Sequence, residues 1–329
     1  MESIRDFSLE VTRWLQENYP QLESFFLILS GIGRFEFYLA IIALIYWSIE
    51  KFFGRSLAYI LAFSFLINGM IKHLIRDPRP YWLDPTLGLY EENSYGVPSG
   101  HAQAATVFYG FLALWLRRGW VWVLAILMML LMALSRVYLG VHDIEDVLAG
   151  IIIGILILIG YYFWQRYFED RFANRILGQR LLFAILVPVL LVIAYAGLLI
   201  ILGQPDYDVA WSEYIDAAEW TSFEDIAAEF GILLGLGVGF VLEVSRVRFM
   251  VHGALWKRIV RYLVGLAGTI VIWFGLDTIF PEEPLALAVP LRLFQAFLMA
   301  IWISYYAPWL FVKVRLAKAR PEPEVSITI

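Results

Sequence analysis

Apolar positions in this chain run in long unbroken stretches between short polar connections, without the alternation that a half-buried strand imposes. Nine stretches predict membrane-spanning helices: 27–49, 55–74, 100–116, 119–138, 146–165, 181–203, 226–245, 258–280 and 290–312. Most approach or reach the ~20 residues that a helix needs to cross a bilayer. The first is interrupted by Gly31, Gly33, Arg34 and Glu36, so eight spans with a re-entrant piece is the alternative count. A closed β-barrel would require alternating strands and is disfavoured. The expected fold class is all-α, a polytopic membrane helical bundle.

Composition agrees. The chain has 329 residues, 61% hydrophobic, with a mean hydropathy of +0.71, against about 45–50% apolar for ordinary soluble domains. It has no cysteine, which excludes disulfides and thiolate chemistry. Residues 1–21 are polar and lack the basic-then-apolar pattern of a cleaved signal peptide. Gly150 with Gly154, and Gly231, Gly235, Gly237 and Gly239, sit at small-residue spacings expected of close helix packing in lipid rather than of a nucleotide loop. Tyr207–Trp220 is expected as a short aromatic-anchored helix on the membrane surface, and the Pro-Glu-Pro-Glu tail after Arg320 as disordered.

Charge gives an orientation. Lys51, Arg55, Arg117, Arg118, Arg166, Arg171, Arg175, Arg180, Arg246, Arg248, Lys257, Arg258, Arg261, Lys313, Arg315, Lys318 and Arg320 fall in one alternating set of connections, 17 of the 25 basic residues. Gln204–Asp225, on the other side, has seven acidic residues and no basic one. The positive-inside rule then puts the C-terminus in the cytoplasm and the N-terminus outside. The expected location is a plasma or inner membrane, or endoplasmic reticulum in a eukaryote.

Three clusters on that outer side carry the chemistry. In the first, Lys72 lies near the end of a span, and Arg79 follows Pro78, beyond the helix. The two can converge on one anion, Lys as a point charge and Arg as a planar fork. In the second, Pro98-Ser99-Gly100-His101 opens a span. Free N–H groups at a helix start hold anions, Gly100 permits close approach, Ser99 adds a hydroxyl, and His101 stands where it can protonate a leaving alkoxide. In the third, His142 and Asp146 are one helical turn apart, so the carboxylate can hold one ring nitrogen and leave the other as nucleophile. Arg136, at the end of the preceding span, is a third phosphate ligand.

Each cluster alone has a plain explanation. Basic residues at span ends are usually snorkelling anchors, the default for Lys51 and Arg76; Ser-Gly is usually a turn; a His/Asp pair is usually surface. His73 is turned about 100° from Lys72 and is left out. Asp277 and Arg292 are taken as solvated, and His252 as surface. The three clusters in order, at helix ends on one membrane face, point jointly to a phosphate-ester site.

The order Lys72…Arg79-Pro80, Pro98-Ser99-Gly100-His101, Ser135-Arg136…His142…Asp146 resembles the signature of the type 2 phosphatidic acid phosphatase superfamily, over about residues 55–165. That superfamily also holds vanadium haloperoxidases and the glucose-6-phosphatases, and the nine-span layout resembles the latter. The resemblance implies a six-helix phosphatase core within residues 1–180 (signature 72–146), about three extra C-terminal spans in 181–320, and a tail at 321–329. It implies His142 as the nucleophile forming a phosphohistidine, His101 as acid, Asp146 as orienter, and Lys72, Arg79, Ser99, Gly100 and Arg136 as phosphate ligands.

The leading expectation is therefore a metal-independent phosphoric ester hydrolase. It would act on a lipid phosphate or diphosphate of phosphatidic acid, phosphatidylglycerophosphate or isoprenyl type, at the outer face. No cofactor and no nucleic acid are expected; the partners are the lipid phosphate and membrane lipids, with homo-oligomerisation left open. A sugar-phosphate phosphatase is the alternative within enzymes. A non-enzymatic lipid-binding or transport relative ranks below, because both histidines are present. A haloperoxidase is disfavoured because its site would not open on a membrane.

Overall fold

A computed structural model describes residues 2–281 and 283–321. In chain order the helices are α1 (Glu2–Asn18), α2 (Glu23–Ile32), α3 (Phe35–Ser48), α4 (Lys51–Ile75), α5 (Pro80–Leu83), α6 (Gly100–Leu116), α7 (Gly119–Tyr138), α8 (Ile144–Tyr167), α9 (Glu169–Ala173), α10 (Leu177–Leu202), α11 (Ile215–Leu242), α12 (Leu255–Asp277), α13 (Leu285–Ile301) and α14 (Ala307–Lys313). Among the described residues the only β pairing is an isolated bridge between Phe249 and Ala319. The chain is an all-α polytopic membrane protein.

Among the described residues, seven helices are long and apolar enough to cross a membrane, or eight if the bent pair Pro20–Ile32 and Phe35–Ser48 counts as one span. The bend, 50°, falls where Gly33 and Arg34 interrupt the apolar run. The remaining stretch predicted to span, α6, is 17 residues long. Tyr207–Trp220 is not a separate surface helix: after a 3-10 turn at Ser212–Tyr214, α11 starts at Ile215 and runs unbroken to Leu242. Its acidic first turns continue directly into the apolar run, so nothing stops the helix at Trp220. The expected tail at 321–329 lies, apart from Pro321, outside the described residues.

The chain forms two compact units. The first comprises Met1–Tyr38, Ser64–Leu158 and Leu198–Phe223. In it α6 packs along α7, and α2 and α1 lie against α7. Gly150 and Gly154 allow α8 to approach α6 closely: a Cβ at Gly154 would fall 2.8 Å from Thr106 Cβ, and one at Gly150 3.3 Å from the Gln103 nitrogen. This is the close packing that small residues permit between membrane helices. An aromatic core of Phe26, Tyr81, Trp82, Tyr95 and Tyr138 sits beneath the connections at one end.

The second unit comprises Leu39–Phe63, Ile159–Gly197 and Glu224–Ile329. Tyr46 and Trp47 donate to the carbonyls of Ser304 and Ile303 at 3.1 and 3.0 Å, in the π-helical turn Trp302–Tyr306 that joins α13 to α14. Lys51 was expected as a snorkelling anchor. It is instead buried, 2.9 Å from the Glu243 carboxylate, because a buried charge requires a partner. Asp277 and Arg292 form an exposed pair at 2.9 Å.

Candidate active site

The site is built in the first unit from three helix ends and the connections between them. α4 stops at Ile75 because Arg76 turns left-handed (φ 54°) and Pro78 and Pro80 follow. Lys72, in its last turn, is buried and donates to the carbonyls of Tyr95 and, at 2.9 Å, Gly96. Arg79 is fully buried just ahead of α5, and Pro80 occupies the first position of that helix, where no N–H is needed. The Arg79 guanidinium donates to the Val141 carbonyl at 2.9 Å and to Ser94 Oγ at 2.9 Å, and lies 3.3 Å from His142 Nε2.

Ser99 is the N-cap of α6: its Oγ accepts from the Ala102 N–H at 3.5 Å, and its own N–H donates to the Asp146 carbonyl at 2.9 Å. The P-S-G-H turn is fixed from α4 by Asn68, which donates to the Pro98 carbonyl at 3.2 Å and to Gln103 Oε1 at 2.9 Å. Gly100 starts α6 against Asn68, where a Cβ would be 3.1 Å from Oδ1. α7 ends at Tyr138, and Gly140, at φ +69°, makes the reversal toward α8.

His142 and Asp146 are on one face, as their spacing requires. Nδ1 of His142 is 3.1 Å from Asp146 Oδ2, which also accepts from the Asp143 N–H at 3.0 Å. Burial, reinforced by Arg79, Lys72 and Arg136, holds the His142 imidazole well below its ordinary pKa. Burial thus favours the neutral ring, in which Nε2 faces Arg79 and carries the lone pair when Nδ1–H faces Asp146.

Of the residues expected at the site, Arg79, Arg136, His101 and His142 converge on one point and Asp146 backs His142; Ser99 and Gly100 are placed at the start of α6 and Lys72 in the last turn of α4. The contacts of two of them are structural: Ser99 caps its helix, and Lys72 ties α4 to the 95–96 backbone. The sequence did not disclose Glu92. Its carboxylate pairs with Arg136 and, at 2.8 Å, with Arg79. It lies 3.9 Å from His101 Nδ1 and 4.0 Å from His142 Nε2. Burial alone would raise the Glu92 carboxyl, but the Arg136 and Arg79 guanidiniums override it and hold it well below the usual carboxylate range. The only hint in the sequence is an acidic pair, Glu91-Glu92, between two cationic clusters.

The second omission is α1. Ser8 Oγ accepts from the Ile144 N–H at 2.9 Å, which caps the start of α8. Thr12 donates to the Val137 carbonyl at 3.1 Å, and Gln16 to those of Leu87 and Tyr138 at 2.9 and 2.8 Å. The third is Glu219. It accepts from Tyr95 at 2.7 Å, lies 3.0 Å from His73 Nε2, and pairs with Arg76 at 3.0 Å. His73 therefore faces away from the site as expected, but it is a buried partner in an ion network. Arg76 belongs to the same network and is not a free anchor.

Residues 53–170 match the PAP2 superfamily model, and residues 227–319 match the model of the PAP2 superfamily phosphatase transmembrane extension. The chain belongs to the PAP2 superfamily. Among its PAP2 relatives is lipid phosphate phosphatase delta of Arabidopsis thaliana, 30% identical over 154 residues, which cover 42% of this chain and 37% of that protein. Sphingosine-1-phosphate phosphatase 1 of Rattus norvegicus is 32% identical over 140 residues, 40% of this chain and 32% of its own length. Glucose-6-phosphatase catalytic subunit 1 of Mus musculus is 23% identical over 329 residues, with 87% of this chain and 88% of that protein covered. The chain thus spans about a third of the first two relatives and most of the third. No solved structure shows significant similarity to it.

Proposed function

We propose that this PAP2 protein hydrolyses a phosphomonoester or diphosphate of a lipid through a phosphohistidine on His142. The observation that carries this reading is the His142 geometry. Asp146 holds Nδ1, and Nε2 faces the point where Arg79 and Arg136 converge on an anion, here the Glu92 carboxylate. A phosphate at that point meets fixed donors that need no reorganisation as charge develops. The Nε2 lone pair attacks phosphorus, and the bond to the ester oxygen breaks toward that oxygen. His101, which lies 3.9 Å from one oxygen of the Glu92 carboxylate while His142 faces the other, gives the leaving oxygen its proton. His101 then takes a proton from water, which attacks the phosphohistidine and frees orthophosphate and neutral His142.

A lipid substrate is favoured by α1. Its inward side carries the polar residues that brace the site, while Ile4, Phe7 and Trp14 project outward and are exposed. Such a helix suits the membrane–water interface, which would put the site at headgroup level. The names of the Arabidopsis and rat relatives also specify lipid phosphates. A sugar phosphate is the second reading, supported by the near full-length match to the mouse glucose-6-phosphatase subunit. The deciding experiment is phosphate release by the purified protein from phosphatidic acid, phosphatidylglycerophosphate, an isoprenyl diphosphate and glucose 6-phosphate. Release from glucose 6-phosphate alone would overturn the lipid assignment.

The same proposal puts this site outside the cytoplasm, a reading supported by the Lys/Arg distribution. A cysteine substituted for Asn93 should react with an impermeant reagent on intact cells; labelling only after permeabilisation would reverse the topology.

A further inference from the structure

The phosphate position inferred above is occupied by a side chain of the protein itself. Glu92 is the common partner of the two guanidiniums that the proposed reaction assigns to the substrate, and its carboxylate lies within 4.0 Å of both histidines. Its backbone is fixed. The Glu92 N–H donates to Tyr81 Oη at 3.0 Å, and Tyr81 Oη donates to the Glu92 carbonyl at 2.7 Å. Beyond it, Arg79 donates to Ser94 Oγ, Lys72 to the Tyr95 and Gly96 carbonyls, and the Gly96 N–H to the Asp77 carbonyl at 2.8 Å. The carboxylate can therefore leave by side-chain rotation while the loop stays in place.

We propose that Glu92 is a built-in competing anion: the substrate's phosphate binds by displacing its carboxylate, and the carboxylate returns as orthophosphate leaves. The inference rests on the phosphatase reading above. Its physical basis is the charge of the site. Lys72, Arg79 and Arg136 are all buried there, and the product of each turnover is an anion carrying about −1.5 to −2 charge. Without a competitor, three desolvated cations would retain that product. A resident carboxylate opposes every phosphate anion equally. It weakens substrate and product binding by one common factor and keeps the guanidiniums paired between turnovers, so that no bare cation is left buried.

The test is inhibition by inorganic phosphate, compared between the wild-type protein and Glu92→Gln. The amide keeps the shape and removes the charge. The proposal predicts that Ki for phosphate and KM for substrate fall together by about tenfold or more, the scale of one charged hydrogen bond, and that turnover slows if release limits it. Because unpaired arginines can destabilise the fold, the second measurement is thermal stability with added phosphate. Phosphate should raise the midpoint of Glu92→Gln more than that of wild type, since it replaces the missing anion. An unchanged or higher Ki together with equal stabilisation of both proteins would overturn the proposal while leaving the phosphatase reading intact. If wild type releases no phosphate from any substrate in the panel, the phosphatase reading fails, and this inference fails with it.

Discussion

Arg5, in the first helix, places one guanidinium nitrogen 2.7 Å from Asp77 and another 3.4 Å from Asp143, the neighbour of His142. One side chain thereby links the connection after α4 to the start of α8, the two pieces of backbone that present Arg79 and His142. Arg5→Ala should lower kcat/KM, because it loosens the backbone that positions both the nucleophile and Arg79. Equal losses in an Arg5→Ala and a surface Glu10→Ala control would show that α1 does not brace the site.

Asp143 gives this link a pH dependence. Burial pushes its carboxyl up to about 6, and the Ser8 hydroxyl and Arg5 only partly offset it. The folded state then holds a proton that the unfolded chain has already lost above about pH 4. The contribution to stability is complete below about pH 4 and is lost as pH rises through about 6. Asp143→Asn should flatten the stability profile between those values, measured as thermal midpoint against pH. A profile in that window identical to wild type would show that Asp143 does not titrate there.

Asp146→Asn should fold normally and slow turnover by about 10²–10⁴-fold, since an amide can hold the wrong imidazole tautomer at Nδ1. His101→Ala should cost less with a nitrophenyl phosphate than with an alkyl phosphate, because a good leaving group departs with little protonation. The same loss for both substrates would remove His101 from the acid role.

The helical membrane class, the three clusters and the His142–Asp146 pairing were legible because each is local. Hydropathy, proline and glycine placement and i,i+4 spacing act within a few residues. What was not legible depends on distant segments. Glu92 is identified only once Arg79 and Arg136 are brought together, and α1 only once Ser8 meets the N–H of Ile144. Glu219 is separated from His73 and Arg76 by more than 140 positions. Lys51 appeared to be an anchor because its partner, Glu243, lies 192 positions further along the chain.

Glu219→Ala should leave His73 and Arg76 without their carboxylate and release Tyr95, whose carbonyl receives Lys72. A loss of about 1–3 kcal/mol in stability is expected, with a smaller loss for Glu219→Gln, which keeps an acceptor. Denaturation of the two variants in detergent checks it; an unchanged midpoint for Glu219→Ala would show that the network holds nothing together.

Activity should persist in excess EDTA and be inhibited by vanadate. The groups meeting at the anion position are guanidiniums and imidazoles, which supply by fixed charge what a metal would supply by coordination. Loss of activity in chelator, with recovery on adding Mg²⁺ or Zn²⁺, would contradict this.

The most direct test of the central claim is to trap the covalent intermediate. Wild-type protein quenched during turnover of a ³²P-labelled substrate should carry an acid-labile, base-stable label. His142→Ala should carry none, and His101→Ala should retain it with a good leaving group. Label that survives in His142→Ala and disappears in His101→Ala would exchange the two roles and contradict the assignment of His142 as nucleophile.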